Sequence, residues 1–65
     1  MTIIDARGMR CPWPALRLAK AMRGADEAMI LADDPRAADE LAALARTQGW
    51  SLVRNGNEFR AKVSG

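Results

Sequence analysis

The residue with the most distinctive chemistry is Cys11, the chain's only cysteine, in the segment Cys11-Pro12-Trp13-Pro14. Proline suits the first turn of a helix, where its missing N–H would have no helical partner. The spacing therefore predicts a helix with Cys11 as N-cap, Pro12 at the first helical position and Pro14 at the third. Peptide dipoles at a helix N-terminus favour a thiolate, so we expect a lowered pKa for Cys11.

The residues before Cys11 support the same chemistry. Arg10 and Arg7 add positive charge, and Gly8 permits a sharp turn between strand and helix. The chain has neither a second cysteine nor a histidine, which excludes a Cys-x-x-Cys redox centre, a Ser/His/Asp triad and a Cys/His zinc site. A thiol without a base is suited to being loaded by one partner and unloaded by another. The alternative is that Cys11 is a small buried hydrophobic residue.

Length and composition limit how the chain is stabilised. We expect the 65 residues (1–65) to form one domain with a thin core, held by apolar burial because an internal disulfide is impossible. The first 24 residues carry five cations and one acid, which suits either an acidic partner or a solvated surface. The free thiol and the lack of a long apolar stretch predict a cytoplasmic protein without membrane attachment.

Turn and capping residues divide the chain into six elements. Strands are predicted at 2–5, 27–32, 50–53 and 59–63, and helices at 12–23 and 35–48. The apolar run at 27–32 predicts a central strand. Asp34 is the expected N-cap of the second helix, with Pro35 at its first position. Asn55-Gly56-Asn57 predicts a hairpin between the last two strands, because Asn and Gly both accept positive φ.

The order β-α-β-α-β-β favours a right-handed crossover between parallel strands, followed by an antiparallel hairpin. We therefore predict an α/β (α+β) two-layer sandwich, with a mixed four-stranded sheet and both helices on one face. The core-facing positions expected on the helices and the last strand are Ala15, Leu18, Ala19, Met22, Ala37, Leu41, Leu44, Ala45, Gln48, Phe59, Ala61 and Val63.

Three residues of the first helix are candidates for partner binding. Trp13, Arg17 and Lys20 share the face opposite the apolar positions. An exposed tryptophan suits a contact surface, but Trp13 could instead fold over the neighbouring loop. Arg17 and Lys20 are equally compatible with a solvated face. Asp33-Asp34 has too few neighbouring carboxylates for a metal site, and the basic residues lack the interleaved aromatics of a nucleic-acid surface.

The segment from Asp5 to Pro14 resembles the signature of the TusA/SirA family of small sulfur carriers. That signature has an Asp, then a Gly, then Cys-Pro-x-Pro at the start of the first helix. Lys20 stands where the family often has lysine, and Asp33-Asp34-Pro35 resembles its second strand-to-helix junction. The resemblance extends over nearly the whole chain, although Trp13 replaces a residue that is often charged or polar.

The resemblance implies that Cys11 carries sulfane sulfur as a persulfide, with no other cofactor. The donor would be a cysteine desulfurase or a rhodanese-like protein, and an acceptor protein would take the sulfur onward. Known relays serve tRNA thiolation, molybdenum-cofactor synthesis or sulfur oxidation. Asp5, Gly8, Arg10, Pro12, Pro14 and Asp34 would support the motif. The alternatives are a regulatory interaction module with an incidental thiol, or an independent thiol enzyme, for which no second thiol or histidine is present.

Overall fold

Four strands and two helices follow one another in the predicted order. The computed structural model describes residues 2–63. The elements are β1 Thr2–Asp5, α1 Trp13–Met22, β2 Glu27–Leu31, α2 Ala37–Gln48, β3 Trp50–Asn55 and β4 Glu58–Val63. The strands form one mixed sheet in the order β1-β2-β4-β3. The β1–β2 pair is parallel and the other two pairs are antiparallel. The predicted architecture is confirmed.

The strand register places apolar side chains side by side on one face of the sheet. Ile4 lies opposite Ile30, which in turn lies opposite Phe59, and all three are buried. β2 lies between β1 and β4, as its apolar sequence predicts. Arg54 of β3 lies opposite Phe59 of β4, at the end of this row. Its guanidinium is 5.3 Å from the centre of the Phe59 ring.

Both helices cover this face and contact each other, α1 above β1 and β2, and α2 above β3. The fully covered helix residues are Pro14, Leu18 and Met22 of α1 and Ala37, Leu41 and Ala45 of α2. Of the other predicted core positions, Ala15 and Leu44 are partly buried and pack against the core, and three do not belong to it. Ala19 is only partly buried, Gln48 is exposed because it ends α2, and Val63 is 45 % exposed because neither helix reaches the end of β4.

The hairpin between β3 and β4 is tighter than predicted. Asn55 pairs with Glu58, so the connecting residues are Gly56 and Asn57. Within the hairpin Gly56 alone has positive φ, at 63°. A two-residue turn in which the first central residue is glycine needs only that one positive φ. The Arg54 Nε also donates to the Gly56 carbonyl at 2.8 Å.

Candidate functional site

The candidate site lies between the two loops that follow the parallel strands. Because β1 and β2 run in the same direction, their carboxyl ends share one edge of the sheet, the usual position of sites in open α/β sheets. Loop 6–12 leads into α1 and loop 32–36 into α2. An open depression of about 530 Å³ is lined by Gly8, Met9, Arg10, Cys11, Asp33, Asp34, Pro35 and Arg36.

The carboxylates of Asp33 and Asp34 link these two loops through hydrogen bonds. The Gly8 amide donates to Asp33 Oδ1 at 2.9 Å, and the Cys11 amide donates to Asp34 Oδ2 at 2.6 Å. Gly8 has φ 82°, a left-handed conformation that glycine adopts without strain. The backbone on both sides of Arg10 is therefore held by the second loop, and the position of the Cys11 sulfur depends on both loops.

Helix α1 begins one residue later than its sequence predicts. Its N-cap is Pro12, Pro14 occupies the second helical position, and Cys11 precedes the cap. The prediction that Cys11 is the N-cap is wrong. Its backbone amide bonds Asp34 from the other loop, and the Cys11 side chain makes no capping hydrogen bond to α1. The thiol is partly exposed, which also excludes the interpretation of Cys11 as a fully buried residue.

Helix α2 also begins later, at Ala37, with Arg36 as N-cap. Asp34 still stabilises the start, because its Oδ1 accepts the Arg36 amide at 3.1 Å and its carbonyl accepts the Ala37 amide at 2.9 Å. Pro35 lies in the turn before the helix, where the prediction had placed it inside. Hydrogen bonds from the Arg36 and Cys11 amides lower the pKa of Asp34, so it stays ionised at neutral pH.

The electrostatic surroundings of Cys11 are the opposite of those predicted. A hydrogen bond to the Glu40 carboxylate raises the pKa of the Cys11 thiol, and partial burial and the negative charges of Glu40 and Asp34 raise it further. Arg36 is the cation that acts against this rise. The prediction of a lowered pKa is wrong, because the charges of Glu40 and Asp34 act on the thiol and Cys11 precedes the N-cap of α1.

Asp5 and Arg7 form a salt bridge at the start of the loop that leads to Cys11. The Arg7 guanidinium donates to both carboxylate oxygens of Asp5, at 2.9 and 2.8 Å, and the Arg7 amide donates at 3.2 Å. The side-chain hydrogen bond from Arg7 lowers the pKa of Asp5 to about 2. Asp5 therefore holds both the side chain and the backbone amide of Arg7 at the start of the loop. The charge of Arg7 is directed to Asp5, whereas Arg10 lines the depression beside Cys11.

The exposed face of α1 extends from the motif. Trp13 is 60 % exposed, so it does not fold over the loop, and Leu16 one turn later is 52 % exposed. Arg17 and Lys20 line a separate depression of about 470 Å³ beside Ile4 of β1. The structure thus places Trp13 within the motif, at the start of α1, and the two cations further along the same helix.

Comparisons with known proteins agree on one family. The family model described as sulfurtransferase TusA matches residues 2–65. The chain belongs to the TusA family. YrkI of Bacillus subtilis (strain 168), named as a candidate sulfur carrier protein, is 34 % identical over 59 residues, covering 86 % of this chain and 79 % of that protein. The crystal structure of a SirA-like protein from Desulfitobacterium hafniense superposes with a TM-score of 0.80, at 26 % identity and with 100 % of both chains covered.

Membership of the TusA family implies protein partners, because a sulfur carrier works between a donor and an acceptor. Within residues 2–63 no group of three or more acidic, cysteine or histidine residues is arranged to hold a metal ion. No helix in the same range is long and apolar enough to cross a membrane.

Sequence reasoning missed four residues around this TusA-family site. Asp33 and Glu40 reach the cysteine loop from the second loop and from α2, Arg36 lies in the depression, and Leu16 is exposed beside Trp13. The pair Asp33-Asp34 before Pro35 offered one signal for these contacts, because the capping of α2 accounts for only one of the two aspartates. The exposure of Leu16 follows from helical spacing, three residues after Trp13. Nothing in the local sequence indicates that Glu40 meets Cys11.

Proposed function

We propose that this chain is a sulfur carrier that holds sulfane sulfur as a persulfide on Cys11. The observation that carries the proposal is the placement of the chain's only thiol. Cys11 is partly exposed at an open depression, and its backbone amide is fixed by Asp34. A carrier thiol must be reachable by two different proteins in turn, and a partly exposed cysteine at an open depression, with its backbone amide fixed, meets that requirement.

Loading exchanges one sulfur–sulfur bond for another. The Cys11 thiol loses its proton to solvent, and the thiolate attacks the outer sulfur of a donor persulfide. The donor's S–S bond breaks, and its cysteine leaves as a thiolate that takes up a proton. The sulfane sulfur changes its partner without net oxidation or reduction, so no electron carrier is needed. Unloading is the same exchange in the opposite role, with the acceptor's thiolate attacking the outer sulfur on Cys11.

The exposed face of α1 is the proposed contact surface for these partners. Trp13 and Leu16 offer an apolar contact next to the thiol, and Arg17 and Lys20 continue the face with positive charge. Helix α1 contains no acidic residue. An apolar anchor flanked by cations fits an apolar cleft with an acidic rim. Suitable donors are a cysteine desulfurase or a rhodanese-like protein, and the acceptor would act in tRNA thiolation, molybdenum-cofactor synthesis or sulfur oxidation.

A second candidate is a regulatory interaction module in which the thiol is incidental. The raised pKa of Cys11 favours this alternative, since less of the thiol is ionised at neutral pH. The exposed face of α1 serves either function equally well. The two functions differ in whether sulfur reaches Cys11.

Intact-protein mass spectrometry tests the proposal. The wild-type chain and Cys11→Ser are each incubated with a cysteine desulfurase and cysteine, and in parallel with a rhodanese and thiosulfate. The proposal predicts a gain of one or more sulfur atoms that a reductant reverses and that Cys11→Ser lacks. Absence of any gain with both donors supports the interaction module.

A further inference from the structure

The helices leave one face of the sheet uncovered, and a mainly apolar row crosses its middle. The strand register sets Ile3 of β1 beside Met29 of β2. Arg60 of β4 follows, and Val53 of β3 ends the row. Ile3 and Val53 are the two most exposed large apolar side chains of residues 2–63, at 64 % and 65 %. Met29, Arg60 and Val53 also line a depression of about 240 Å³, so the row forms one continuous surface, here called the outer face.

Charges of both signs stand in the neighbouring row of the outer face. Glu27 of β2 and Lys62 of β4 are register partners, and each alternates with a buried alanine, Ala28 or Ala61. The Glu27 carboxylate lies 3.8 Å from the Arg60 guanidinium, whereas Lys62 forms no ion pair within residues 2–63. The outer face therefore carries an acid and a cation beside an apolar row, a pattern that can complement a second copy of itself.

We propose that the outer face binds a second copy of this chain, with a twofold axis that runs along the strands between β2 and β4. Such an axis lays β1 of one copy over β3 of the other, and β2 over β4, in the aligned packing of two sheets. Each row then faces the same row of the second copy. Ile3 meets Val53 at both ends of the central row, and Glu27 meets Lys62 twice in the charged row.

The charges favour this axis over the other twofold arrangement of two stacked sheets. An axis across the strands, through the central row, would place Arg60 over Arg60 of the second copy, and like charges repel. The proposed axis places Arg60 over Met29, and in the third row it places Leu31 over Glu58. Four strands about 4.8 Å apart give a small contact area, so the dimer is weak. Because both helices lie on the opposite face, the exposed surface of α1 stays free in the dimer.

Sedimentation equilibrium of the full chain, at concentrations up to about 1 mM, tests the proposal. Wild type should show a monomer–dimer equilibrium within this range. Val53→Lys places a charge in both apolar contacts and should weaken the dimer about tenfold or more in Kd. Leu16→Lys makes the same change at an exposed apolar residue of α1 and should follow wild type. A wild type that stays monomeric, or equal weakening by Leu16→Lys, overturns the proposal.

Charge reversal tests the pairing across the twofold axis. Glu27→Lys and Lys62→Glu should each weaken the dimer about tenfold, because like charges then face each other. An equimolar mixture of the two variants should associate as wild type does, since every acid then faces a cation of the other copy although the pair within each chain stays broken. Arg46→Glu, on the exposed surface of α2, is the control and should follow wild type. A mixture that fails to regain association overturns the proposed arrangement.

A second apolar variant guards against loss of the fold. Circular dichroism melting checks that each variant is folded. Ile3→Lys, at the position that faces Val53 of the second copy, should weaken the dimer as Val53→Lys does. A wild-type dimer that neither variant weakens would mean that another surface binds the second copy, and the proposal would then be wrong.

Discussion

The Asp34 carboxylate accepts the backbone amide of Cys11 at 2.6 Å, across the gap between the two loops that follow the parallel strands. The same carboxylate accepts the Arg36 amide before α2. One side chain thus fixes the segment that carries the thiol and prepares the start of the helix that supplies Glu40. Asp34 thereby sets the position of the Cys11 backbone relative to the start of α2.

Replacing Asp34 should loosen the loop of Cys11 while leaving the sheet intact. Asp34→Ala removes the acceptor of the Cys11 amide, so hydrogen exchange at that amide should accelerate about tenfold or more. Amide exchange followed by NMR measures the change, with the amides of β2 as internal reference. Asp39→Ala, on the exposed surface of α2, is the matched control and should leave the Cys11 amide unchanged. Unaltered protection in Asp34→Ala would show that the loop is held by other contacts.

Leu18 and Leu16 of the same helix should differ sharply in their contribution to stability. Leu18 is fully buried and Leu16 is 52 % exposed. Leu18→Ala should cost about 2–5 kcal/mol of unfolding free energy, because it removes buried methyl groups and leaves a cavity. Leu16→Ala should change it by about 0.5 kcal/mol or less. Urea unfolding gives both values, and similar losses in the two variants would contradict the packing described for α1.

Trp13 should contribute to partner binding more than to stability. Trp13→Ala removes a large exposed apolar side chain beside the thiol and should weaken binding to a cysteine desulfurase about tenfold or more in Kd, as for a tryptophan anchor. Val53→Ala is the control, since Val53 is 65 % exposed on the sheet face that the helices leave uncovered. Titration calorimetry measures both. Equal effects of the two variants would exclude a specific role for the face of α1.

The Asp5–Arg7 pair should make stability depend on pH in the acid range. Because Arg7 lowers the pKa of Asp5 from 3.8 to about 2, the stability from this pair is present above about pH 4 and is lost as pH falls towards 2. Asp5→Asn should therefore flatten the fall of the urea midpoint between pH 4 and pH 2, and Arg7→Gln should flatten it to a similar extent. An acid dependence that remains as steep as wild type in both variants would contradict the pairing.

The sequence predicts the fold well because local signals agree with one another. Alternating and continuous apolar runs, together with glycine and proline at the turns, identify all six elements and the central position of β2. The errors occur at the ends of elements, where contacts between residues far apart in the sequence determine where each helix begins. Residue spacing indicates only that Asp34 caps α2, but its side chain also accepts the Cys11 amide, and Pro35 and Arg36 form a turn before the helix begins.

The site was predicted in part. The importance of Cys11 and the turn at Gly8 follow from residue type and spacing, whereas the supporting roles of Asp5 and Asp34 at the motif were implied by the resemblance to the TusA/SirA family. The sign of the pKa shift does not follow from residue type and spacing, because it depends on the charges of Glu40 and Asp34, which come near Cys11 only in the folded chain. The position of Cys11 beside α1 predicted a lowered pKa for its thiol. This expectation is wrong because the charges that raise the pKa belong to Glu40 of α2 and to Asp34.

The most direct test of the account is transfer of labelled sulfur through the carrier. Wild-type chain is loaded from isotope-labelled cysteine by a desulfurase, separated from the donor, and mixed with an acceptor protein of a sulfur relay. The account predicts that mass spectrometry finds the label first on Cys11 and then on the acceptor, with neither signal in Cys11→Ser. Label that reaches the acceptor equally well with Cys11→Ser, or that never leaves the donor, would contradict the assignment of this chain as a carrier.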